Sequence, residues 1–145
     1  MHTVKDMLKE KGSEVWTISP EAKVIDALKL MSDKKIGALA VMYKKQVLGI
    51  LSERDYARKV ILKGKTSLDT PVKEIMTCQV YCVGLETPAE ECMALMTKKR
   101  IRHLPVIEKG KLVGLVSIGD VVKSIISEHK ITIDNLQNYI LGKYL

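Results

Sequence analysis

Apolar positions along the chain follow two periods, and the periods alternate in a fixed order. Val24, Ala27, Leu28 and Met31 stand at i, i+3, i+4 and i+7, which lays one apolar stripe along a helix. Ala89, Cys92, Met93 and Met96 repeat that stripe 65 residues later. Such a stripe packs a core, and the Met and Cys within it need no chemical role. Two apolar runs of strand length follow each stripe: Ala38 to Tyr43 with Val47 to Leu51, then His103 to Glu108 with Lys111 to Val116. Lys44-Lys45-Gln46 and Lys109-Gly110 are short enough to close them as hairpins. A β-rich run precedes each stripe, Val15 to Ile18 or Val80 to Val83. Ser19-Pro20 and Thr87-Pro88, the latter with Glu90 to complete a capping box, mark the helix starts. A second helix follows each hairpin, carrying Tyr56, Val60 and Ile61 or Val121, Val122, Ile125 and Ile126. The order is β-α-β-β-α, twice.

Sliding the chain against itself by 65 residues aligns Val15 through Ile61 with Val80 through Ile126 without a gap. Repetition on this scale sets the fold before any other signal. Each unit has a leader, Val4-Lys-Asp-Met-Leu8 or Val72-Lys-Glu-Ile-Met76, offset by 68 residues instead of 65. Lys63 to Pro71, with Gly64 and Thr70-Pro71, reads as the linker. The expected division is residues 1–65 for the first repeat with its leader helix and 66–130 for the second. A C-terminal amphipathic helix over 131–145 carries Ile133, Leu136, Ile140, Leu141 and Tyr144 on one stripe. That stripe packs back on the core or covers a partner subunit.

Among the identities that survive the offset, one group stands out. Gly49-Ile-Leu-Ser52-Glu-Arg-Asp55 and Gly114-Leu-Val-Ser117-Ile-Gly-Asp120 both read Gly-x-x-Ser-x-x-Asp. Ser-x-x-Asp is a capping box placed where strand gives way to helix, and the glycines allow close backbone packing. The same geometry suits a ligand. A helix start attracts phosphate, Ser52 donates to a phosphate oxygen, and Arg54 adds charge-assisted bonds. A carboxylate such as Asp55 or Asp120 accepts from a ribose diol. These residues support nucleotide binding, and no catalytic base or metal box accompanies them.

The doubled β-α-β-β-α pattern, its V-K-[DE]-x-[ML] leaders and its G-x-x-S-x-x-D endings resemble a tandem pair of cystathionine β-synthase (CBS) domains, a Bateman module. The resemblance covers the chain to about Lys130. It implies an α+β fold in which two repeats pack with pseudo-twofold symmetry, plus the C-terminal helix. It also implies two inter-repeat clefts for adenosyl ligands: AMP, ADP, ATP or NAD(H), with S-adenosylmethionine ranked behind them and no metal required. By position, the first cleft would use Ser52, Arg54 and Asp55 with Cys82, Val83, Arg102, His103, Leu104 and Pro105. The second would use Ser117 and Asp120 with Ile18, Ser19, Gly37, Ala38 and Leu39. Gly119 stands in place of Arg54, and Gly37-Ala38 in place of Arg102-His103. The clefts are therefore expected to be unequal, with phosphate held better beside Asp55.

Composition adjusts this picture in a few places. The chain has 145 residues, no Phe and one Trp, which leaves little aromatic surface for stacking exposed bases. Its net charge is +7, but the cations are spread along it, clustering only at Lys98, Lys99, Arg100 and Arg102. That spread argues against a nucleic-acid surface. Cys78, Cys82 and Cys92 make an odd count without paired CxxC motifs, so neither disulfides nor zinc is indicated. No signal peptide or membrane-length apolar run is visible, and a cytoplasmic setting is expected. No Ser-His-acid, zinc or P-loop arrangement indicates an enzyme. The expected function is a non-catalytic nucleotide sensor of energy or redox state, a homodimer that signals to an unidentified regulated protein. The alternative is a structural dimerisation module with vestigial clefts.

Overall fold

The computed structural model describes residues 2–12 and 14–140, with the backbone alone described for residues 131–133, 139 and 140. Helix α1 (Val4–Lys11) comes first, followed by β1 (Thr17–Ile18), α2 (Val24–Lys34), β2 (Ala38–Tyr43) and β3 (Gln46–Ser52). Helix α3 (Glu53–Tyr56) continues as a π-helical turn over Ala57–Ile61. The second half holds α4 (Val72–Ile75), α5 (Ala89–Lys99), β4 (His103–Glu108), β5 (Lys111–Ser117) and α6 (Ile118–Ile140). The β-α-β-β-α order is present in both halves. Strand β1 pairs parallel to β2, and its counterpart in the second repeat shrinks to one parallel bridge between Val83 and Val106.

The hairpins match residue for residue. Ala38 pairs with Ser52 and His103 with Ser117, and each hairpin bulges just after its valine, Val41 or Val106. Lys44 and Lys45 both take positive φ, as do Lys109 and Gly110, which is the twist of a two-residue primed turn. Period-two alternation then sorts the faces. Leu39, Val41 and Leu51 pack with Val24, Ala27 and Met31 of α2, while Ala38, Ala40 and Ile50 face Leu112 and Leu115 of the other repeat. In β4 the same alternation sends Leu104 and Val106 into their own core.

The leaders are exchanged. Val4, Met7 and Leu8 of α1 complete the core of the second repeat, beside Ala89, Met96, Val106 and Val116. Val72 and Ile75 of α4 complete the core of the first. Matched hydrogen bonds hold both: the Val4 amide donates to the Thr87 carbonyl, and the Val72 amide to that of Ala22. Division at residue 65 thus follows the chain, whereas the packing places each leader in the opposite repeat. The glycines of the repeated motif serve this exchange. A Cβ on Gly49 would lie 2.7 Å from the Thr77 carbonyl oxygen, and one on Gly114 would lie 2.7 Å from Leu8 Cδ1.

Two expected caps are not formed. Helix α2 starts at Val24 and not after Ser19-Pro20, because those residues make a turn whose Ser19 hydroxyl accepts from the Glu21 amide. The Thr87 hydroxyl accepts from the Gly84 amide, so no Thr87–Glu90 box caps α5. Helix α6 runs 23 residues without a break at Lys130. Of the expected C-terminal stripe, Leu136 is exposed, while Leu141 and Tyr144 lie outside the described residues. Among the described residues no helix is long and apolar enough to cross a membrane.

Candidate functional site

Both Ser-x-x-Asp motifs form their capping boxes. The Asp55 amide donates to Ser52 Oγ at 3.2 Å, and the Ser52 amide returns a bond to Asp55 Oδ2 at 2.9 Å. Ser117 and Asp120 repeat this at 3.2 and 2.8 Å. Each box opens into a cavity between the repeats, of about 270 Å³ beside Asp55 and about 590 Å³ beside Asp120.

The first cavity gathers Ser52, Arg54, Asp55, Arg102 and His103, as expected. It does not include Cys82, Val83, Leu104 or Pro105. Cys82 and Val83 line a separate shallow groove along α5, and Leu104 is fully buried in the second core. Pro105 is buried and uses its carbonyl to accept from the Val83 amide. The second cavity gathers Ser117, Asp120, Gly37 and Ala38, but not Ile18, Ser19 or Leu39. Ile18 pairs with Val41 in the sheet, Ser19 is spent in its turn, and Leu39 is core.

Several lining residues were not expected from sequence. Arg58, Lys59, Thr77 and Arg100 join the first cavity, and Lys11, Trp16, Lys34 and Lys35 the second. Arg58 lies one helical turn beyond Arg54, a legible signal. Lys35 and Arg100 are matched helix ends at positive φ, which the 65-residue offset relates. Lys11 reaches Asp120 only through the leader exchange, which no local pattern reveals.

The two aspartates meet different surroundings. A carboxylate offers about four lone-pair sites. Asp55 Oδ2 receives the Ser52 amide and the Ser52 hydroxyl at 3.1 Å, while Oδ1 receives Thr77 Oγ1 at 3.0 Å and Lys59 Nζ at 3.0 Å. Asp120 Oδ2 receives the Ser117 amide and Lys11 Nζ at 2.7 Å. No hydrogen bond from the described residues reaches Asp120 Oδ1. Burial raises the Asp120 pKa, but Lys11 and Ser117 outweigh it and hold the carboxyl below its ordinary value.

Charge differs as well. Five cations line the first cavity against one carboxylate, Asp55, and four of the five are arginines. Three lysines line the second against Glu14 and Asp120. One of these, Lys34, lies 4.1 Å over the Trp16 ring. Burial first, then the nearby Arg58 and Arg102, lower the Arg54 pKa against the pull of Asp55. His103 lines both cavities. Its pKa is pushed down to about 4, first by burial and then by Lys11 and Arg102, with Asp120 and Asp55 opposing.

Comparison with known proteins accords with this architecture. The CBS domain family matches the chain twice, over residues 4–62 and 72–127. The chain belongs to the CBS domain family. As a tandem CBS pair it is similar to the mitochondrial CBS domain-containing protein CBSX3 of Arabidopsis thaliana, at 40% identity over 98% of this chain and 73% of that one. A CBS-domain protein of known structure from Burkholderia ambifaria is 50% identical with a TM-score of 0.83, covering 87% of this chain and 95% of its own. The CBS pair of protein MJ0100, solved with 5'-methylthioadenosine and S-adenosyl-L-methionine, shares the fold at a TM-score of 0.78 and 23% identity, covering 88% and 98% of the two chains.

Proposed function

We propose that this CBS pair is a regulatory module that binds adenosine-containing nucleotides in its two inter-repeat clefts, as AMP, ADP, ATP or a NAD-type ligand. One observation carries the reading: two related cavities each combine a Ser-x-x-Asp cap with cations supplied by other elements. The adenosyl compounds in the MJ0100 pair support the choice of ligand class. Binding would favour one arrangement of the repeats or protomers to the extent that affinity differs between arrangements. A separate protein would read the difference.

The assembly proposed is a homodimer. Ile118, Val122 and Ile126 are exposed on one stripe of α6, and Ile61, the offset partner of Ile126, is exposed on the first repeat. A second copy covers both patches by the same surface, as a twofold contact requires.

Calorimetric titration of AMP, ATP and NAD into the wild type and into Arg102→Ala tests the reading. Arg102 is exposed, so its loss spares the fold. Removing one charge-assisted contact costs about 1.5–3 kcal/mol, and ATP should weaken by roughly one to two decades. Absence of binding by all three nucleotides to the wild type would overturn the proposal.

A further inference from the structure

We infer that His103 joins the two clefts into one proton-linked pair: an anion entering either cleft draws a proton onto its imidazole, and that proton favours an anion in the other. The inference rests on the nucleotide reading above and goes beyond it, since two such clefts could equally fill independently. Its first support is placement. His103 forms part of the wall of both cavities. Its Nε2 lies 3.8 Å from where a Cβ on Gly37, in the second cavity, would stand. Among the described residues neither ring nitrogen has a hydrogen-bond partner, so a protonated ring has two donors to offer. The feature belongs to one repeat alone, because the 65-residue offset places Ala38 where His103 stands.

The backbone ties the clefts together at the same place. The Glu53 amide, beside the Ser52 cap of the first cleft, donates to the Gly37 carbonyl at 3.1 Å, and Gly37 lines the second. The Ile118 amide, beside the Ser117 cap of the second, donates to the Arg102 carbonyl at 2.8 Å, and Arg102 lines the first. Each cap is thus one hydrogen bond from the strand entry that borders the other cleft, and His103 follows Arg102 directly.

Charge gives the sign of the coupling. Burial first, then Lys11 of α1 and Arg102, keep the proton off His103, while Asp120 of α6 and Asp55 of α3 favour it. Glu53 of α3 also comes near, its Cδ 3.9 Å from the same Gly37 position. From the other walls, Lys35 at the end of α2 lines the second cavity and Arg54 the first. The two cations that oppose the proton are divided between the clefts, Arg102 in the first and Lys11 in the second. An anion in either cleft therefore offsets one of them and adds a negative charge of its own beside the ring. The imidazolium so formed attracts an anion on its other side.

Imidazole NMR and ATP titration test this, with His103→Gln assigning the signal and serving as the control. In the free protein the His103 ring should titrate at about 4, and at saturating ATP at about 5.5 or above. Calorimetry should show ATP in both clefts, the second step gaining on the first by roughly three- to tenfold between about pH 7.5 and 5.5. Protonation of ATP itself acts on both steps alike. In His103→Gln that gain should vanish. A His103 midpoint that ATP leaves unmoved would overturn the coupling and leave the nucleotide reading standing. A single ATP per chain, or an equal gain in His103→Gln, would do the same. No ATP binding to the wild type would overturn both.

Discussion

Ser52–Asp55 and Ser117–Asp120 begin as the same capping box at the same place in two matched hairpins, yet their carboxylates end differently. One is enclosed by four donors of its own chain, and the other keeps an oxygen open toward a larger cavity. The divergence comes from what each cap meets. The first meets Thr77 beyond the short leader α4 and Lys59 from its own π-helical turn. The second meets Lys11 at the end of the longer leader α1. Duplication preserves the local motif, and the exchanged leaders decide what it can do.

The sharpest way to break the comparison is through His103, which lies between the clefts where the first repeat has Ala38. Its unfolded imidazole titrates near 6.5 and its folded one near 4. Both are neutral above pH 6.5, so the contribution is constant there. Below it the unfolded chain takes the proton first, and stability falls through the window from 6.5 to 4 by about 3 kcal/mol in all. His103→Gln should flatten that part of the pH-stability curve in denaturant titrations. An equal slope in the variant would remove His103 as the cause. Asp120 occupies a separate window: its carboxyl is held below 3.8, so its contribution is lost only at lower pH.

A smaller effect separates the two motif glycines. The Cβ of Gly49→Ala would strike a backbone carbonyl, and that of Gly114→Ala a leucine side chain able to turn aside. Overpacking of this kind costs about 1–3 kcal/mol, with Gly49→Ala toward the upper end and Gly114→Ala toward the lower. Leu8→Ala added to Gly114→Ala should be less destabilising than the sum of the two single changes. Equal costs for the two glycines would show that the leaders adapt alike.

The smallest expected difference concerns the matched pairs Lys34 over Trp16 and Lys99 over Tyr81, at 4.1 and 5.0 Å. Lys34→Met should cost about 0.5–1 kcal/mol, and Lys99→Met less, since Trp presents the better face at shorter range. Thermal unfolding of the two variants reads the order. A reversed order would place the tighter pair in the second repeat.

Much of this was legible in sequence because it is periodic. The 65-residue offset, the helix stripes and the hairpin lengths predict the elements to within a few residues. Ser52, Asp55, Ser117 and Asp120 are found because their box is local. What escaped depends on distant contacts. Lys11 lies more than a hundred residues from Asp120 in sequence, and nothing near it signals that meeting. Cys82, Leu104 and Leu39 fit a strand-entry pattern by position, but alternation turns the leucines into the cores. The expected caps at Ser19 and Thr87 failed because their hydroxyls accept from the Glu21 and Gly84 amides within their own turns.

The exchanged leaders also set a schedule for synthesis. Helix α1 leaves the ribosome early, but Val4, Met7 and Leu8 have no core to enter until the strands ending at Ser117 and the start of α6 exist. At translation speeds of about 5–20 residues per second, that wait lasts roughly 5–25 s. The first repeat, by contrast, closes as soon as α4 arrives. One half of the molecule can therefore condense while α1 is still without its seat, and α6, made long after it, completes that seat.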